Sequence, residues 1–342
     1  MDSGGLCATP ALFTGTLLRD SFSRKIDYLR ISVTDRCNLR CRYCMPEDGV
    51  TSVGHGSILS YEELFRVARV AVQLGVRKIR LTGGEPLVRK GLFDFIRSLA
   101  ELPEKPELTL TTNGMLLAEN AERLKKAGLS RINVSLDSLQ AERFSVMTRR
   151  SGLEKVLEGL RAAETAGLAP IKINMVPILG VNEDEIADFA RLTFDHPWQV
   201  RFIEFMPVSS GLDYSPEQLY PADRIQADLQ KLADLNCEEQ AGIVGPARIY
   251  RLKGAQGTVG IIPAVSEHFC GECNRLRLTA DGQLRPCLLS QQEIDLRSIL
   301  RDGVADEVLA ELLEKSVAVK PERHCVDENY QPGSRRMQGI GG

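Results

Sequence analysis

The sequence predicts an α/β protein whose core is a partial (β/α)6 barrel of the TIM type. Candidate strands and helical stretches alternate six times between residues 28 and 206, a repeat that is typical of parallel sheets and barrels. The predicted strands are 29–34, 78–82, 108–112, 131–137, 171–176 and 200–206. Because a closed TIM barrel has eight strands, six strands predict incomplete closure and an accessible interior.

Most of the predicted strands are polar on one side and apolar on the other. In the first strand, Arg30, Ser32 and Thr34 alternate with Leu29 and Ile31, and a strand points successive side chains to opposite faces. Parallel strands are usually apolar on both faces. We therefore expect helices to cover the apolar sides and a polar lumen, which holds a large polar ligand, to lie inside. An open sheet with one solvated face is the alternative.

Two capping boxes predict helix starts between the strands. Ser60 and Glu63 precede an apolar run that ends at Gly75, and Asn182 and Glu185 precede the apolar stretch 186–194. In a capping box the two side chains bond each other's backbone N–H groups. The spacing therefore predicts a helix after each pair.

The pattern changes after residue 221. A helix is predicted over 222–235, followed by antiparallel strands at 248–253, 258–263 and 274–279, with a hairpin turn at Asp281-Gly282. We expect these strands to form a smaller second layer that caps the barrel. The chain then divides into an N-terminal extension (1–17), a barrel (18–235), a C-terminal region (236–333) and a Gly-Gly tail (334–342).

Composition limits the classes of partner. The chain has 342 residues, 43% of them hydrophobic, and a net charge of −3, so no overall charge attracts it to nucleic acid or to a membrane surface. The mildly apolar stretch 6–18 has no basic residues before it and is too short to span a bilayer. Nine cysteines are an odd number, unlike a secreted disulfide scaffold. These features predict a cytoplasmic protein in a reducing compartment.

Six of the cysteines form two triads. Their spacings are Cys37-x3-Cys41-x2-Cys44 and Cys270-x2-Cys273-x13-Cys287. Each triad is one thiolate short of the four that usually hold a four-iron cluster, so one iron would stay open to a small molecule. The predicted hairpin brings Cys287 close to Cys270 and Cys273. The pattern favours two iron–sulfur clusters; zinc is the alternative, completed by His268 at the second triad.

Several motifs together resemble the radical S-adenosylmethionine (radical SAM) enzymes, and within them the GTP 3′,8-cyclase family of molybdenum cofactor biosynthesis. They are YLRISVTDRCNLRCRYCMP at 28–46, LTGGEP at 81–86, TTNG at 111–114, VSLDS at 134–138, the second cysteine triad and the terminal Gly341-Gly342. The similarity extends from residue 18 to the end. Ser23 stands where this family commonly has glycine, and Cys7, Cys237 and Cys325 have no assigned role.

The resemblance implies a role for each matching position. The two triads hold two [4Fe–4S] clusters, and S-adenosylmethionine binds the open iron of the first. The S-adenosylmethionine contacts are Tyr43, Gly84, Ser135 and Met206. The GTP contacts are Arg30, Arg80, Thr111, Lys172, Arg275, Leu276 and Arg277. Gly341 and Gly342 enter the active site as catalytic residues.

The resemblance also implies a reaction and its partners. An external one-electron donor reduces the first cluster, S-adenosylmethionine is cleaved to a 5′-deoxyadenosyl radical, and GTP becomes (8S)-3′,8-cyclo-7,8-dihydroguanosine 5′-triphosphate. A downstream cyclic pyranopterin monophosphate synthase uses the product, and the family suggests a homodimer.

Strand parity supports part of this independently, because it points Arg30, Arg80, Lys172 and Ser135 into the lumen. No Walker motif is present, so side chains must meet the triphosphate charge. A peptide-modifying radical SAM enzyme and a non-catalytic iron–sulfur or zinc protein are the alternative functions.

Overall fold

The structure is a computed structural model that describes residues 17–49, 54–206, 208, 216–239, 245–324, 326 and 335–341. Gly342, most of the predicted N-terminal extension, Cys7, Cys325 and residue 334 of the predicted tail lie outside the described residues.

The six parallel strands occur in the predicted order. They are β1 (Tyr28–Ser32), β2 (Lys78–Thr82), β3 (Glu107–Thr112), β4 (Arg131–Ser135), β5 (Lys172–Met175) and β6 (Gln199–Ile203). Each of the first five pairs in parallel with the next strand along the chain. Several strands end earlier than predicted, and the polar residues after them lie in loops at the carboxyl edge of the sheet. The predicted (β/α)6 unit is confirmed.

Six further strands belong to the C-terminal region. They are β7 (Leu235–Cys237), β8 (Arg248–Leu252), β9 (Thr258–Ile262), β10 (Arg275–Leu278), β11 (Gln283–Arg285) and β12 (Ile294–Asp295). The predicted antiparallel pairs occur between β8 and β9 and between β10 and β11. The turn at Asp281-Gly282 joins the second pair, as predicted.

The predicted second layer is wrong, because the C-terminal strands extend the barrel sheet itself. β9 pairs in parallel with β6, and β10 pairs in parallel with β1. The described strands form one 12-stranded sheet in the order β12-β11-β10-β1-β2-β3-β4-β5-β6-β9-β8-β7. Eight consecutive strands are therefore parallel, and the sheet stays open. Without the C-terminal strands, β1 and β6 would be the edge strands of the barrel sheet. Their unpaired backbone groups favour the addition of a strand, which explains why β10 and β9 pair with them.

Helices cover the outer side of the sheet. They are α1 (Tyr61–Gln73), α2 (Leu92–Ala100), α3 (Leu117–Lys126), α4 (Ala141–Thr148), α5 (Leu153–Thr165), α6 (Ile186–Asp195), α7 (Ala222–Leu232), α8 (Arg297–Arg301) and α9 (Asp306–Ala318). The short helix α10 (Met337–Ile340) lies instead on the inner side of the sheet. Within the described residues, none of these helices has the length and apolar content that crossing a membrane requires. α7 ends before the predicted residue 235, because Leu235 begins β7.

The main hydrophobic core lies between the helices and the apolar side of the strands. Leu29 and Ile31 of β1 are fully buried against helix residues such as Val67 of α1 and Ile96 of α2. Large side chains from the whole barrel join this single cluster. Because the apolar sides face outward to the helices, the polar sides face the interior, as predicted.

One predicted capping box is confirmed and the other is wrong. At the start of α1, Ser60 Oγ accepts from the Glu63 N–H, and the Glu63 carboxylate accepts from the Ser60 N–H. Asn182 instead donates to the Asp137 carbonyl, and Glu185 accepts from Ser138 Oγ and the Leu139 N–H. These bonds hold the loop after β4, so tertiary contacts replace the local cap.

The loop before β1 holds a residue in a strained conformation. Asp20 Oδ1 accepts from the N–H groups of Phe22 and Arg24 at 3.0 and 2.9 Å. Ser23 lies between them with φ of 65°. This left-handed conformation costs an L-residue roughly 1–2 kcal/mol, and glycine avoids that cost.

We predict that Ser23→Gly stabilises the protein. Relief of the strained conformation outweighs the added chain entropy of the unfolded state, which costs about 0.4–1 kcal/mol, so the expected net gain is about 0.5–1 kcal/mol. The measurement is the midpoint of urea unfolding. Ser151→Gly is the control, because Ser151 is exposed and has no positive φ. It should lower the midpoint, and a lower midpoint for Ser23→Gly as well would contradict the account.

Candidate active site

The polar sides of the strands enclose a cavity of ≈ 570 Å³. All six triad cysteines line it, and so do most of the other predicted site residues. These are Tyr43, Gly84, Ser135, Met206, Arg30, Arg80, Thr111, Lys172, Arg275 and Arg277. Leu276 differs, because its side chain is 1% exposed in the hydrophobic core. Any contact from Leu276 to a ligand in the cavity would therefore involve its backbone.

The first triad occupies the loop that follows β1, at the carboxyl end of the parallel strands. This loop packs closely on the loop after β2. The Gly84 N–H donates to the Thr34 carbonyl at 2.7 Å, and a Cβ at Gly84 would collide with the carbonyl oxygen of Arg36. The Gly83-Gly84 pair is thus needed for close approach of two backbones, which places Gly84 beside the cysteines.

The first triad suits a metal cluster with a cationic core. Burial raises the pKa of the Cys41 thiol well above its usual value, and Cys44 and Asp137 raise it further. The thiolate form that binds metal therefore needs cationic charge between the sulfurs. Cys37 Sγ already accepts from the Leu39 N–H at 3.4 Å and from Asn113 Nδ2 at 3.7 Å. Such hydrogen bonds to sulfur are common at iron–sulfur sites.

Two buried carboxylates brace the loops around this triad, and neither was predicted as a site residue. Tyr43 donates to Asp137 Oδ2 at 2.6 Å, and burial raises the pKa of Asp137 to about 6. Glu85 accepts from the N–H of Asn113 and from Thr112 Oγ1, and burial raises its pKa to about 7. Strand parity was a signal for Asp137, and Glu85 lies within the LTGGEP motif at 81–86, although no role was assigned to it.

The second triad lies at the opposite end of the same strands. Tyr28 at the start of β1 pairs with Arg275 at the start of β10, and Cys273 lies just before that strand. The antiparallel register of Arg277 with Arg285 brings Cys287 back to the same end. The five residues of β1 span roughly 17 Å at 3.3 Å per residue. The triads are therefore two separate centres with the cavity between them.

Buried cations surround the second triad. Burial acts to raise the pKa of the Cys273 thiol, but Arg275 and Lys320 lower it to about 6. The ligand atoms of His268, Cys270 and His324 lie within 4.8 Å of one another, so zinc is a chemical alternative here. That group uses one cysteine of the triad, and His324 Nε2 already lies 3.1 Å from the Ala264 carbonyl. Three thiolates at one end of the cavity fit an iron–sulfur cluster better.

Cations from several strands line the cavity. Arg30 is in register with Arg277 on one side and with Arg80 on the other. Lys78, Arg131 and Arg201 also line the cavity and were missed by the sequence analysis. Strand parity could have identified two of them, because Lys78 lies two residues before Arg80 and Arg131 lies two residues before Asn133.

Burial and neighbouring positive charges lower the pKa values of several cations in the cavity. Burial, followed by the charges of Arg201 and Arg131, lowers the pKa of Lys172 to about 5. Burial and then Arg80 lower the pKa of Arg201 to about 9. Glu107 pairs with Lys78 and Arg131, but among the described residues no carboxylate pairs with Arg30 or Lys172. The cavity therefore has an excess of positive charge.

Buried polar atoms in the cavity also lack partners. Among the described residues they include Arg30 Nε, Thr111 Oγ1, Asn133 Nδ2 and Asn174 Oδ1. Buried polar groups are normally hydrogen-bonded, so such a set suits the binding of a polar ligand. Donors and acceptors occur together, which suits a ligand that has both an anionic group and a polar heterocycle.

The C-terminal tail reaches the cavity. Arg277 Nη1 donates to the Gly341 carbonyl at 3.1 Å, and Gln338 lines the cavity wall. Gly341 has φ of 73°, and a Cβ there would lie 2.5 Å from Thr82 Oγ1. Any other residue here would be strained by the positive φ and would force the Thr82 side chain to move.

Two families match consecutive parts of the chain. Residues 31–193 match the Radical SAM superfamily, and residues 198–326 match Molybdenum Cofactor Synthesis C. Among solved structures, Streptococcus suis SuiB bound to S-adenosylmethionine aligns with a TM-score of 0.60 at 15% identity, covering 87% of this chain and 68% of that chain. This likeness supports the partial-barrel fold.

Curated relatives are similar along almost the whole chain. The GTP 3′,8-cyclase of Pelotomaculum thermopropionicum is 50% identical over 326 residues, which cover 95% of this chain and 100% of that protein. The GTP 3′,8-cyclase of Geobacter sulfurreducens is 51% identical over 307 residues, or 90% and 94% of the two chains. The resemblance seen in the motifs is thereby confirmed. The chain belongs to the GTP 3′,8-cyclase family of radical SAM enzymes.

Proposed function

We propose that this protein converts GTP into (8S)-3′,8-cyclo-7,8-dihydroguanosine 5′-triphosphate, the first step of molybdenum cofactor biosynthesis, with two [4Fe–4S] clusters and S-adenosylmethionine. One observation carries the proposal: two incomplete cysteine triads lie at opposite ends of a cavity whose walls hold excess buried positive charge. The family relationship supports the same reaction.

The first centre would be held by Cys37, Cys41 and Cys44. Tyr43, Gly84, Ser135 and Met206 would contact S-adenosylmethionine in the adjoining part of the cavity. When bound, this cluster supplies the electron that cleaves S-adenosylmethionine into methionine and a 5′-deoxyadenosyl radical. The Asp137 carboxylate orients Tyr43, and the backbone at Gly84 offers polar groups without a side chain in the way.

The positive cavity wall would hold the triphosphate of GTP. Arg30, Arg80, Lys172 and Thr111 lie on the strands, and Arg275 and Arg277 lie on β10. Each charge-assisted hydrogen bond to phosphate contributes about 1.5–3 kcal/mol. An arginine fork suits two phosphate oxygens at once. Lys78, Arg131 and Arg201 would strengthen the same field.

The guanine would lie toward Cys270, Cys273 and Cys287, which would hold the second cluster. The ribose would then lie between the two triads, within reach of S-adenosylmethionine. Gly341 and Gly342 would complete the wall, with Arg277 holding the Gly341 carbonyl. The enclosed cavity excludes water from a reactive radical.

A peptide substrate is less compatible with this cavity. The structure of SuiB bound to precursor peptide SuiA aligns with a TM-score of 0.59 at 15% identity, which concerns the fold alone. A neutral peptide gives no reason for several buried cations that face one another, because each such charge is costly without an anion.

Other expectations belong to the same proposal. An external one-electron donor would reduce the first cluster, and a downstream cyclic pyranopterin monophosphate synthase would use the product. We also propose a cytoplasmic homodimer, since oxygen-sensitive clusters suit a reducing compartment. The barrel and C-terminal regions would divide near residue 235.

The proposal predicts two independent clusters. After anaerobic reconstitution the protein should hold about eight iron atoms per chain, and serine at all three positions of either triad should leave about four. Cys237→Ser is the control, since Cys237 is exposed on β7.

The proposal also predicts the products of the reaction. When GTP is present, the reconstituted protein with reductant should form both 5′-deoxyadenosine and the cyclised product. Without GTP, the cyclised product should be absent. No 5′-deoxyadenosine under any condition would indicate a carrier or zinc protein instead.

The lowered pKa of Lys172 predicts that GTP binding takes up a proton. At pH 7 a lysine with a pKa of about 5 is mostly neutral, and a bound triphosphate raises that pKa because it favours the charged form. Binding should therefore take up about one proton and strengthen as the pH falls from 8 to 6. Calorimetry in buffers of different ionisation enthalpy, without reductant, measures this uptake.

Lys172→Met should abolish the proton uptake and weaken GTP binding about 10- to 100-fold. Lys155→Met is the matched control, because Lys155 is exposed on α5. Unchanged affinity and unchanged proton uptake in Lys172→Met would refute the assignment of Lys172 to the triphosphate.

Removal of Gly341-Gly342 should separate radical generation from cyclisation. Both cysteine triads lie on other parts of the chain, so the truncated protein should keep its iron and still form 5′-deoxyadenosine. Cyclised product should fall by at least about 100-fold, since small errors of position at a reacting centre cost that much. Product analysis by mass spectrometry checks this, and full activity after truncation would refute a role for the tail.

A further inference from the structure

We propose that Lys320 is a positioning residue that assembles the second iron–sulfur site and sets its reduction potential. This inference rests on the second cluster proposed above. The juxtaposition behind it is a buried ammonium group between the two chain segments that carry Cys273 and Cys287. Lys320 was outside every motif of the sequence analysis.

The contacts of Lys320 connect the two strands of the C-terminal hairpin. Its Nζ donates to the Pro286 carbonyl at 2.6 Å and to the Arg275 carbonyl at 3.0 Å. Pro286 directly precedes Cys287, and Arg275 is two residues after Cys273. Lys320 lies in the segment after α9 and is buried, with 3% of the residue exposed. One ammonium thus fixes the separation of two cluster cysteines.

The same segment also holds the third cysteine. Arg24 donates to the carbonyls of Pro321 and Glu322, at 2.6 and 2.8 Å, and to the Cys270 carbonyl at 2.6 Å. Asp20 pairs with Arg24 at 2.5 Å, which fixes the guanidinium. In addition, a ring nitrogen of His324 lies within 4.8 Å of Cys270 Sγ. Residues 320–324 therefore contact the segments of all three cysteines.

The positive charge of Lys320 would also affect the reduction potential of the second cluster. Among the described residues it contacts two carbonyl oxygens and no carboxylate, so its positive charge is not neutralised by an ion pair. A four-iron cluster with three thiolates is an anion, and reduction makes it more negative. A buried cation at short range therefore favours the reduced form and raises the reduction potential.

The test uses protein in which only the second cluster can form. Cys37, Cys41 and Cys44 are replaced by serine in the full-length chain, and Lys320→Met, Lys320→Gln and Lys320→Arg are compared in that background. Lys315→Met is the matched control, because Lys315 is exposed on α9. Three quantities are measured: iron per chain, the rate of iron loss to a chelator, and the midpoint potential from the electron paramagnetic resonance signal.

Lys320→Met should lose iron about 10- to 100-fold faster, as is typical when a residue that orients metal ligands is removed, and its potential should be lower. Lys320→Gln keeps a hydrogen-bond donor without the charge, so it should lose iron more slowly than Lys320→Met while its potential is equally low. Lys320→Arg should restore the potential. The Lys315→Met protein should match the triple-serine parent.

Three outcomes would overturn the inference, and they are distinguishable. Equal iron-loss rates in Lys320→Met and the parent would refute the positioning role. An unchanged potential in Lys320→Gln would refute the electrostatic role. If Lys320→Met does not fold, the comparison of Lys320→Gln with Lys320→Arg tests both roles. A triple-serine parent that binds no cluster at all would overturn the second cluster itself, and the inference with it.

Discussion

The excess of buried positive charge in the lumen is the constraint on which the rest of the structure depends. Arg30 and Arg80 are neighbours on the adjoining strands β1 and β2, and Lys172 lines the same cavity from β5. Burial, followed by the charges of other cavity arginines, lowers the pKa of Lys172 to about 5. A packed barrel interior would exclude such charges. The open sheet, the enclosed cavity and the unpartnered polar atoms are all explained if a polyanion normally fills the space.

The strand geometry also sets the distance between the two cysteine triads. Cysteines at the carboxyl end of β1 and at the amino end of β10 belong to neighbouring parallel strands, so the length of a strand separates them. An organic molecule about one strand long can then contact both ends at once. The loops that carry the first triad are fixed by buried carboxylates such as Glu85 and Asp137, and those of the second triad by buried cations.

Local periodicity predicted much of this arrangement. Period-two alternation placed Arg30, Arg80, Lys172 and Ser135 in the lumen, because parity depends only on neighbouring residues. The pairing of β9 with β6 and of β10 with β1 was missed, since it joins segments far apart in sequence and no local pattern encodes it. The cap expected at Asn182 was wrong for the same reason: a neighbouring loop offered its side chain stronger partners. Tertiary contacts therefore determined these strand pairings and the partners of Asn182, which local sequence patterns do not specify.

The most direct test of this account is an anaerobic crystal structure of the cluster-loaded protein with S-adenosylmethionine and GTP. The account predicts the triphosphate against Lys172 and Arg80, the guanine beside the iron bound by Cys270, Cys273 and Cys287, and the ribose C3′ facing S-adenosylmethionine. A structure with GTP bound outside the cavity, or with a single metal centre in fully loaded crystals, would contradict it.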